Sequence, residues 1–166
     1  MSTAAAVKDC LQIRELADAQ RQDWAPILWA WIQEFPDAHF DDLHPATDAE
    51  TWMKEMWSRR LFIAWHGGSP CGVIGFEATD QRTGLLRGIC FAKRVHGTGV
   101  PQRALVALLA KLKDEGMDKV TALYYASNAV VRSFLRECGF QDEGRLAKQV
   151  LKGGQPVDVW VVSTFL

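Results

Sequence analysis

Apolar positions along this chain alternate between two periods, and each change of period marks a new element. Leu11-Gln-Ile-Arg-Glu-Leu16 alternates with period two and predicts a strand. Trp24, Leu28, Trp31 and Phe35 then recur at helical spacing as one stripe, behind the lead-in Ala17-Asp18-Ala19. Pro26 suits a first turn, so this helix is predicted to begin near Trp24. Thr47 or Asp48 caps a second helix that carries Trp52, Met53, Met56 and Trp57 on one face. Leu61 to Trp65, the turn Gly67-Gly68 and Cys71 to Ala78 read as a hairpin, and Leu85, Leu86, Ile89, Cys90 and Phe91 as a further buried strand. Leu105, Leu108, Leu109 and Leu112 stripe a helix that Gly116 ends, Lys119 to Tyr125 is a strand, and Val130, Val131, Phe134, Leu135 and Cys138 mark a short helix before Gly139-Phe140. Gly153-Gly154 turns a closing hairpin. The predicted order is β-α-α-β-β-β-α-β-α-β-β, and no linker, repeat or low-complexity stretch divides residues 1–166, which read as a single domain.

One junction in this order carries chemistry. His-Gly-Thr-Gly-Val-Pro, from His96 to Pro101, joins a buried strand to a leucine-striped helix. Gly97 and Gly99 allow a tight turn with bare amides, and Pro101 suits a first helical position, where a missing N–H costs nothing. The amides of Gly97, Thr98, Gly99, Val100 and Gln102 and the positive helix end converge, which favours a phosphate or pyrophosphate. No Lys-Ser/Thr follows the glycines as a Walker loop requires, and no acidic residue stands where a Rossmann ribose contact needs one.

From Leu85 to Phe140 the succession of strand, glycine turn, helix, strand, Asn128, helix and Gly139-Phe140 resembles the cofactor half of the GNAT N-acetyltransferases. Asn128 stands eleven residues before Gly139, and the tail Phe140-Gln-Asp-Glu-Gly-Arg-Leu146, Gly153-Gly154 and Asp158 is similar to the subgroup containing the ribosomal-protein-alanine N-acetyltransferases. The resemblance implies an α/β fold with one mixed, mostly antiparallel sheet whose central parallel pair splays apart. It implies acetyl-CoA as co-substrate, bound by Cys90, Phe91, His96, Gly97, Thr98, Gly99, Val100, Gln102, Asn128 and Leu135. Asn128 has two compatible readings, a contact to the pantetheine arm and a cap on the last helix. The chain departs from the family pattern at His96, where Arg or Gln is usual, at Pro101, where Gly or Ala is, and at Leu135, where a thiolate-protonating Tyr often stands. Those departures leave open a catalytically silent module that binds CoA or a protein partner.

Composition narrows the rest. With 166 residues, 48% of them hydrophobic, the chain can bury one sizeable core. A net charge of −1 argues against a nucleic-acid or anionic-membrane surface. Cys10, Cys71, Cys90 and Cys138 show no metal or redox spacing and read as reduced thiols, hence a cytoplasmic protein, and no apolar run is long enough for a membrane span. Cys90 lies near the expected thioester, but apolar neighbours mark it as buried filler rather than a nucleophile.

The resemblance implies direct attack of a primary amine, a protein N-terminus or a small molecule, on the thioester in a ternary complex. A backbone N–H near Cys90 or Phe91 is the expected oxyanion donor. An α-amine of pKa about 8 is roughly one-tenth neutral at pH 7, far more than a lysine, so it needs less help from a base. Glu77, then Tyr124 or Tyr125, is the candidate base, each with a structural alternative as an ordinary sheet residue, and Asn128 joins Glu77 and Tyr124 in the catalytic set. Trp29, off the first helical stripe, and His39, Asp41, Asp42 and His44 between the first two helices are the candidate acceptor contacts. That polar loop suits a cationic amine better than a metal, so no metal is expected, and the chain is expected as a monomer or homodimer.

Overall fold

The structure, a computed structural model, describes residues 10–34, 48–56 and 58–166. Phe35, His39, Asp41, Asp42, His44 and Trp57, which carry expectations above, lie outside the described residues. Strand β1 (Leu11–Glu15) leads through a short 3-10 turn into α1 (Arg21–Glu34), and α2 (Ala49–Glu55) follows. Strands β2 (Arg60–His66), β3 (Ser69–Ala78) and β4 (Thr83–Phe91) form a meander, and α3 (Val100–Asp114), β5 (Lys119–Tyr125) and α4 (Ala129–Glu137) make the crossover unit. The closing hairpin pairs β6 (Gln141–Lys152) with β7 (Gln155–Phe165). This is the order the sequence predicts.

The seven strands form one sheet in the order β1-β2-β3-β4-β5-β7-β6. Every neighbouring pair is antiparallel except β4 with β5. That parallel pair is registered only from Thr83–Leu85 against Lys119–Thr121, after which the strands part. The expected splay is therefore present at the sheet centre.

Helices cover both faces. Under α3 and α4 a continuous core joins Phe62, Ile74, Phe76 and Leu86 to the α3 stripe and to Val131, Leu135 and Phe140. On the other face α1 and α2 set Leu28, Trp31, Trp52, Met53 and Met56 against Leu61, Ile63, Val73 and Cys90. None of the buried residues of this second core comes from β5, β6 or β7, so Thr121, Leu123 and Val161 stay half-buried there.

Two helix starts differ from expectation. α1 begins at Arg21, a turn before Trp24, so Pro26 falls in its second turn and forfeits one backbone hydrogen bond. The earlier start follows from Arg21, which is 4% exposed and whose guanidinium donates to the carbonyls of Met56 (2.9 Å) and Arg59 (2.6 Å). Long-range bonds of that kind override a local Pro signal. In α3, Gly99 is the cap, which makes Pro101 the second helical residue rather than the first, still within the turn whose amides lack helical partners. The second helix follows its sequence signal closely: Asp48 caps it and accepts from the Thr51 amide at 2.8 Å.

Candidate active site

Where β4 and β5 part, a cavity of about 510 Å³ opens between the end of β4, the glycine turn and α4. Ile89, Cys90 and Phe91 supply its strand wall, His96, Gly97, Pro101 and Gln102 one end, and Val130, Ser133, Phe134 and Glu137 the helical wall. The walls are mostly apolar, and the rings of Phe91 and Phe134 meet across them at 6.5 Å between centroids. Polar groups concentrate at the glycine-turn end, where Gln102 Nε2 donates to Glu137 at 2.8 Å.

The turn is built by local bonds. Lys93–Val95 makes a 3-10 turn after β4, and its Lys93 amide donates to the Glu34 carboxylate of α1 at 2.9 Å. His96 Nε2 lies 2.9 Å from the Phe91 carbonyl, which with the ring nitrogen as donor ties the loop back to the strand. Gly97 and Gly99 have φ of 72° and 76°, a backbone region that side-chain-bearing residues seldom adopt. The expected set of five bare amides is corrected here. Thr98 N donates to the Val95 carbonyl and Val100 N to Thr98 Oγ1, both at 3.3 Å, leaving Gly97, Gly99 and Gln102 as the amides without an acceptor among the described residues.

A second local device shapes the strand wall. Between the pairs Val73–Cys90 and Gly75–Arg87, β4 spends two residues, Gly88 and Ile89, opposite one of β3. Gly88 has φ of 67°, which favours glycine, and a Cβ there would lie 3.0 Å from Met56 Sδ and press that side chain aside. This bulge stands at the head of the cavity. The sequence signal for it was a lone glycine inside a strand pattern, which marks a bulge.

Several expected site residues fall away from the cavity. Leu135 is 1% exposed in the core beneath α4 and does not line it. Tyr124 is likewise buried on the α3/α4 side; its hydroxyl has no hydrogen-bond partner among the described residues, and burial, with Asp142 adding to it, pushes its pKa up. The strand alternation turns Tyr125 to the opposite face, where Lys152 Nζ lies 5.0 Å from its ring centroid. Glu77 is outside the cavity and faces Arg87, with Oε2 3.3 Å from Nε. Trp29 is half-buried against the α1/α2 core. Asn128 caps α4, its Oδ1 accepting from the Val131 amide at 3.1 Å, which is the capping reading of that residue. Burial, reinforced by Glu34, raises the Cys90 thiol to about 12, so it offers no thiolate near neutral pH. Sequence reasoning missed Glu34, Ser133 and Glu137. A second stripe on α4, Val130, Phe134 and Glu137, carried the only signal for the last.

Alongside this splayed sheet, glycine turn at a helix start and apolar cavity, the sequence from residue 22 to 140 matches the model of the acetyltransferase (GNAT) family. The chain belongs to the GNAT family and is an acetyltransferase. No curated protein sequence matches it significantly. Among solved structures it is similar to a ribosomal-protein-alanine N-acetyltransferase from Brucella melitensis, with TM-score 0.72 and 19% identity over 93% of this chain and 99% of that one. It is similar also to a Salmonella typhimurium acetyltransferase that modifies the N-terminal serine of ribosomal protein L7/L12, with TM-score 0.77 and 16% identity over 96% and 97% of the chains. A spermidine N-acetyltransferase from Vibrio cholerae, solved with CoA and spermine, has TM-score 0.74 and 16% identity over 93% and 95%. At these identities the likeness is one of fold. No helix among the described residues is long and apolar enough to cross a membrane, and no cluster of potential metal ligands occurs among them.

Proposed function

We propose that the cavity between β4, the glycine turn and α4 holds acetyl-CoA and that the protein transfers its acetyl group to a primary amine by direct attack in a ternary complex. The observation that carries this reading is the set of three amides, Gly97, Gly99 and Gln102, at the positive end of α3 and at one end of an apolar cavity. The pyrophosphate rests on those amides, the pantetheine arm lies between Phe91 and Phe134, and the thioester reaches the bulge at Gly88 and Ile89. A bulge leaves a strand residue out of the ladder, so a β4 amide is available to the oxygen as it gains charge. The amine nitrogen bonds to the thioester carbon, the carbon–sulfur bond breaks and the thiolate leaves. Of the two protons lost by the ammonium, one ends on the thiolate and one in solvent.

Because Tyr124 is buried and Leu135 supplies no acid, the reading favours an acceptor that needs little assistance. An α-amine meets that condition, as on the N-termini modified by the Salmonella relative, and a small amine remains the other acceptor class. The chain acts as one domain, in a reducing cytoplasm that suits its free cysteines, without a metal, a nucleic acid or a membrane, as a monomer or homodimer. The departures at His96, Pro101 and Leu135 favour one alternative, a fold that binds CoA without turning it over.

A thermal melt with acetyl-CoA tests the site, with ATP and NAD as controls and Gly99→Asp as the variant. Saturable stabilisation by acetyl-CoA alone is expected. The aspartate strains the left-handed backbone at Gly99 less than most side chains would and sets a negative charge beside the pyrophosphate, so affinity should fall roughly a hundredfold or more. Stabilisation by ATP or NAD instead would refute the site, and acetyl-CoA binding without thiol release for any amine would establish the silent alternative.

A further inference from the structure

Among the described residues the cavity lining contains one acid, Glu137, and no lysine or arginine. Val130, Phe134 and Glu137 recur at i, i+4 and i+7 of α4, so one helix face presents two apolar side chains to the cavity and then a carboxylate. That carboxylate stands at the end where the free amides lie. The end of α4 packs on the first turn of α3, with Cys138 Sγ 3.9 Å from the Gln102 carbonyl and Gln102 Nε2 donating to Glu137 Oε2 at 2.8 Å. Gln102 also owns one of the three amides without an acceptor among the described residues. One extended glutamine side chain and one hydrogen bond span roughly 9 Å at most, so the charge falls within the screening distance of about 10 Å at 0.1 M salt. Nearby cations are placed elsewhere: Arg132 and Arg136 of α4 turn to Asp142 at 3.4 and 2.7 Å, and Arg103 lies outside the lining. His96 is the one basic side chain in the lining, and its Nε2 lies 2.9 Å from the Phe91 carbonyl.

We propose that Glu137 is a donor-specificity residue that acts by repulsion: it weakens the hold on the donor's phosphates, so that the thioester is selected more through its pantetheine arm and less through its charge. This rests on the acetyl-CoA reading above. A phosphate held by neutral amides gains from their dipoles, and a carboxylate beside them subtracts from that gain. Discrimination built on a like charge is as real as discrimination built on a contact, because specificity is a difference of affinities. Gln102 serves the same end, since its side-chain donor is spent on Glu137 instead of on a phosphate. The apolar wall formed by Phe91, Val130 and Phe134 carries no charge, so the pantetheine arm and the acyl group are untouched by the repulsion. Loosely held phosphates also let CoA leave sooner after transfer.

The test compares the affinity of wild type and Glu137→Gln for acetyl-CoA and for S-acetylpantetheine, which lacks every phosphate, by thermal melt and calorimetry at low and high salt. Glutamine keeps an acceptor for Gln102 and removes only the charge. Acetyl-CoA should bind the variant roughly three- to tenfold more tightly, a modest gain because Glu137 is exposed, and the gain should shrink as salt rises. S-acetylpantetheine should show no such gain. Glu137→Lys should strengthen acetyl-CoA binding further, with the same salt dependence. A purely structural role for Glu137 would change both donors alike and would not respond to salt, and that result overturns the proposal. So does unchanged or weaker acetyl-CoA binding by Glu137→Gln, which would make the carboxylate neutral or an attractive contact. A wild-type protein that does not respond to acetyl-CoA at all overturns instead the reading on which the proposal rests.

Discussion

The sheet face under α3 and α4 and the face under α1 and α2 bury comparable side chains yet are built differently. On the first, one core runs without a break from Phe62 to Phe140 and the helices themselves wall the cavity. On the second, the core stops at β4, and α1 is anchored by a buried arginine bonded to backbone carbonyls as well as by its apolar stripe. A continuous core fixes the rigid walls that a cofactor needs. Among the described residues the helix core on the second face reaches only as far as β4, and polar anchors supply part of its order.

The largest expected effect tests this directly. Leu108 on α3 and Leu28 on α1 are both 0% exposed. Truncating Leu108 to alanine should cost about 3–5 kcal/mol and Leu28 nearer 2–3 kcal/mol, because a half-covered face can collapse around the lost volume. Equal costs by chemical denaturation would break the distinction. Next in size is Arg21→Met, which keeps an apolar stem but leaves the buried carbonyls of Met56 and Arg59 without their donor. A loss of about 1–3 kcal/mol is expected, with acetyl-CoA affinity retained because the cavity lies on the other face.

How much of this was legible in the sequence follows the same division. The leucine stripe of α3, the strand from Lys119 to Tyr125 and the glycine turn depend on periodicity and local backbone preference, which a sequence displays. The start of α1 depends on Arg21 reaching carbonyls 35 and 38 residues away, and a local reading through Pro26 placed it a turn late. Within the site, the turn and strand residues were named because their motif is contiguous. Ser133 and Glu137 were not, since they join the cavity only when α4 packs beside the parted strands. Tyr124 and Tyr125 show the same limit: adjacent in sequence, they face opposite sides, and only the core on each side tells which is buried beneath α4.

Asn128 separates the two functions of the cavity's helical wall. As a cap it should contribute about 1 kcal/mol, lost in Asn128→Ala and kept in Asn128→Asp, since aspartate caps equally well. Thermal melts measure that part. If the side chain also meets the pantetheine arm, the aspartate variant should retain stability while losing acetyl-CoA affinity several-fold, because it loses the amide donors. Unchanged affinity in that variant would reduce Asn128 to a cap.

The smallest effect concerns the end of the molecule far from the cavity, where the first two strands are tied by charge to the end of α3. Arg60 of β2 bonds to Glu15, the last residue of β1, and to Glu115, which caps α3, with closest distances of 2.7 Å to each. Lys111 joins Glu115 at 3.0 Å. The Arg60 hydrogen bond, with Lys111 adding to it, lowers the Glu115 carboxyl from 4.5 to about 2. A carboxyl depressed in the folded state stabilises it above the unfolded pKa, and that stability disappears as pH falls through the folded value. The difference between wild type and Glu115→Gln should therefore be full above pH 4.5 and fade as pH approaches 2. These groups are partly solvated, so the plateau should be about 1 kcal/mol or less and should shrink in high salt. A difference that persists undiminished at pH 2 would mean that Glu115 acts through packing at the α3 terminus and that its tie to β2 is not electrostatic.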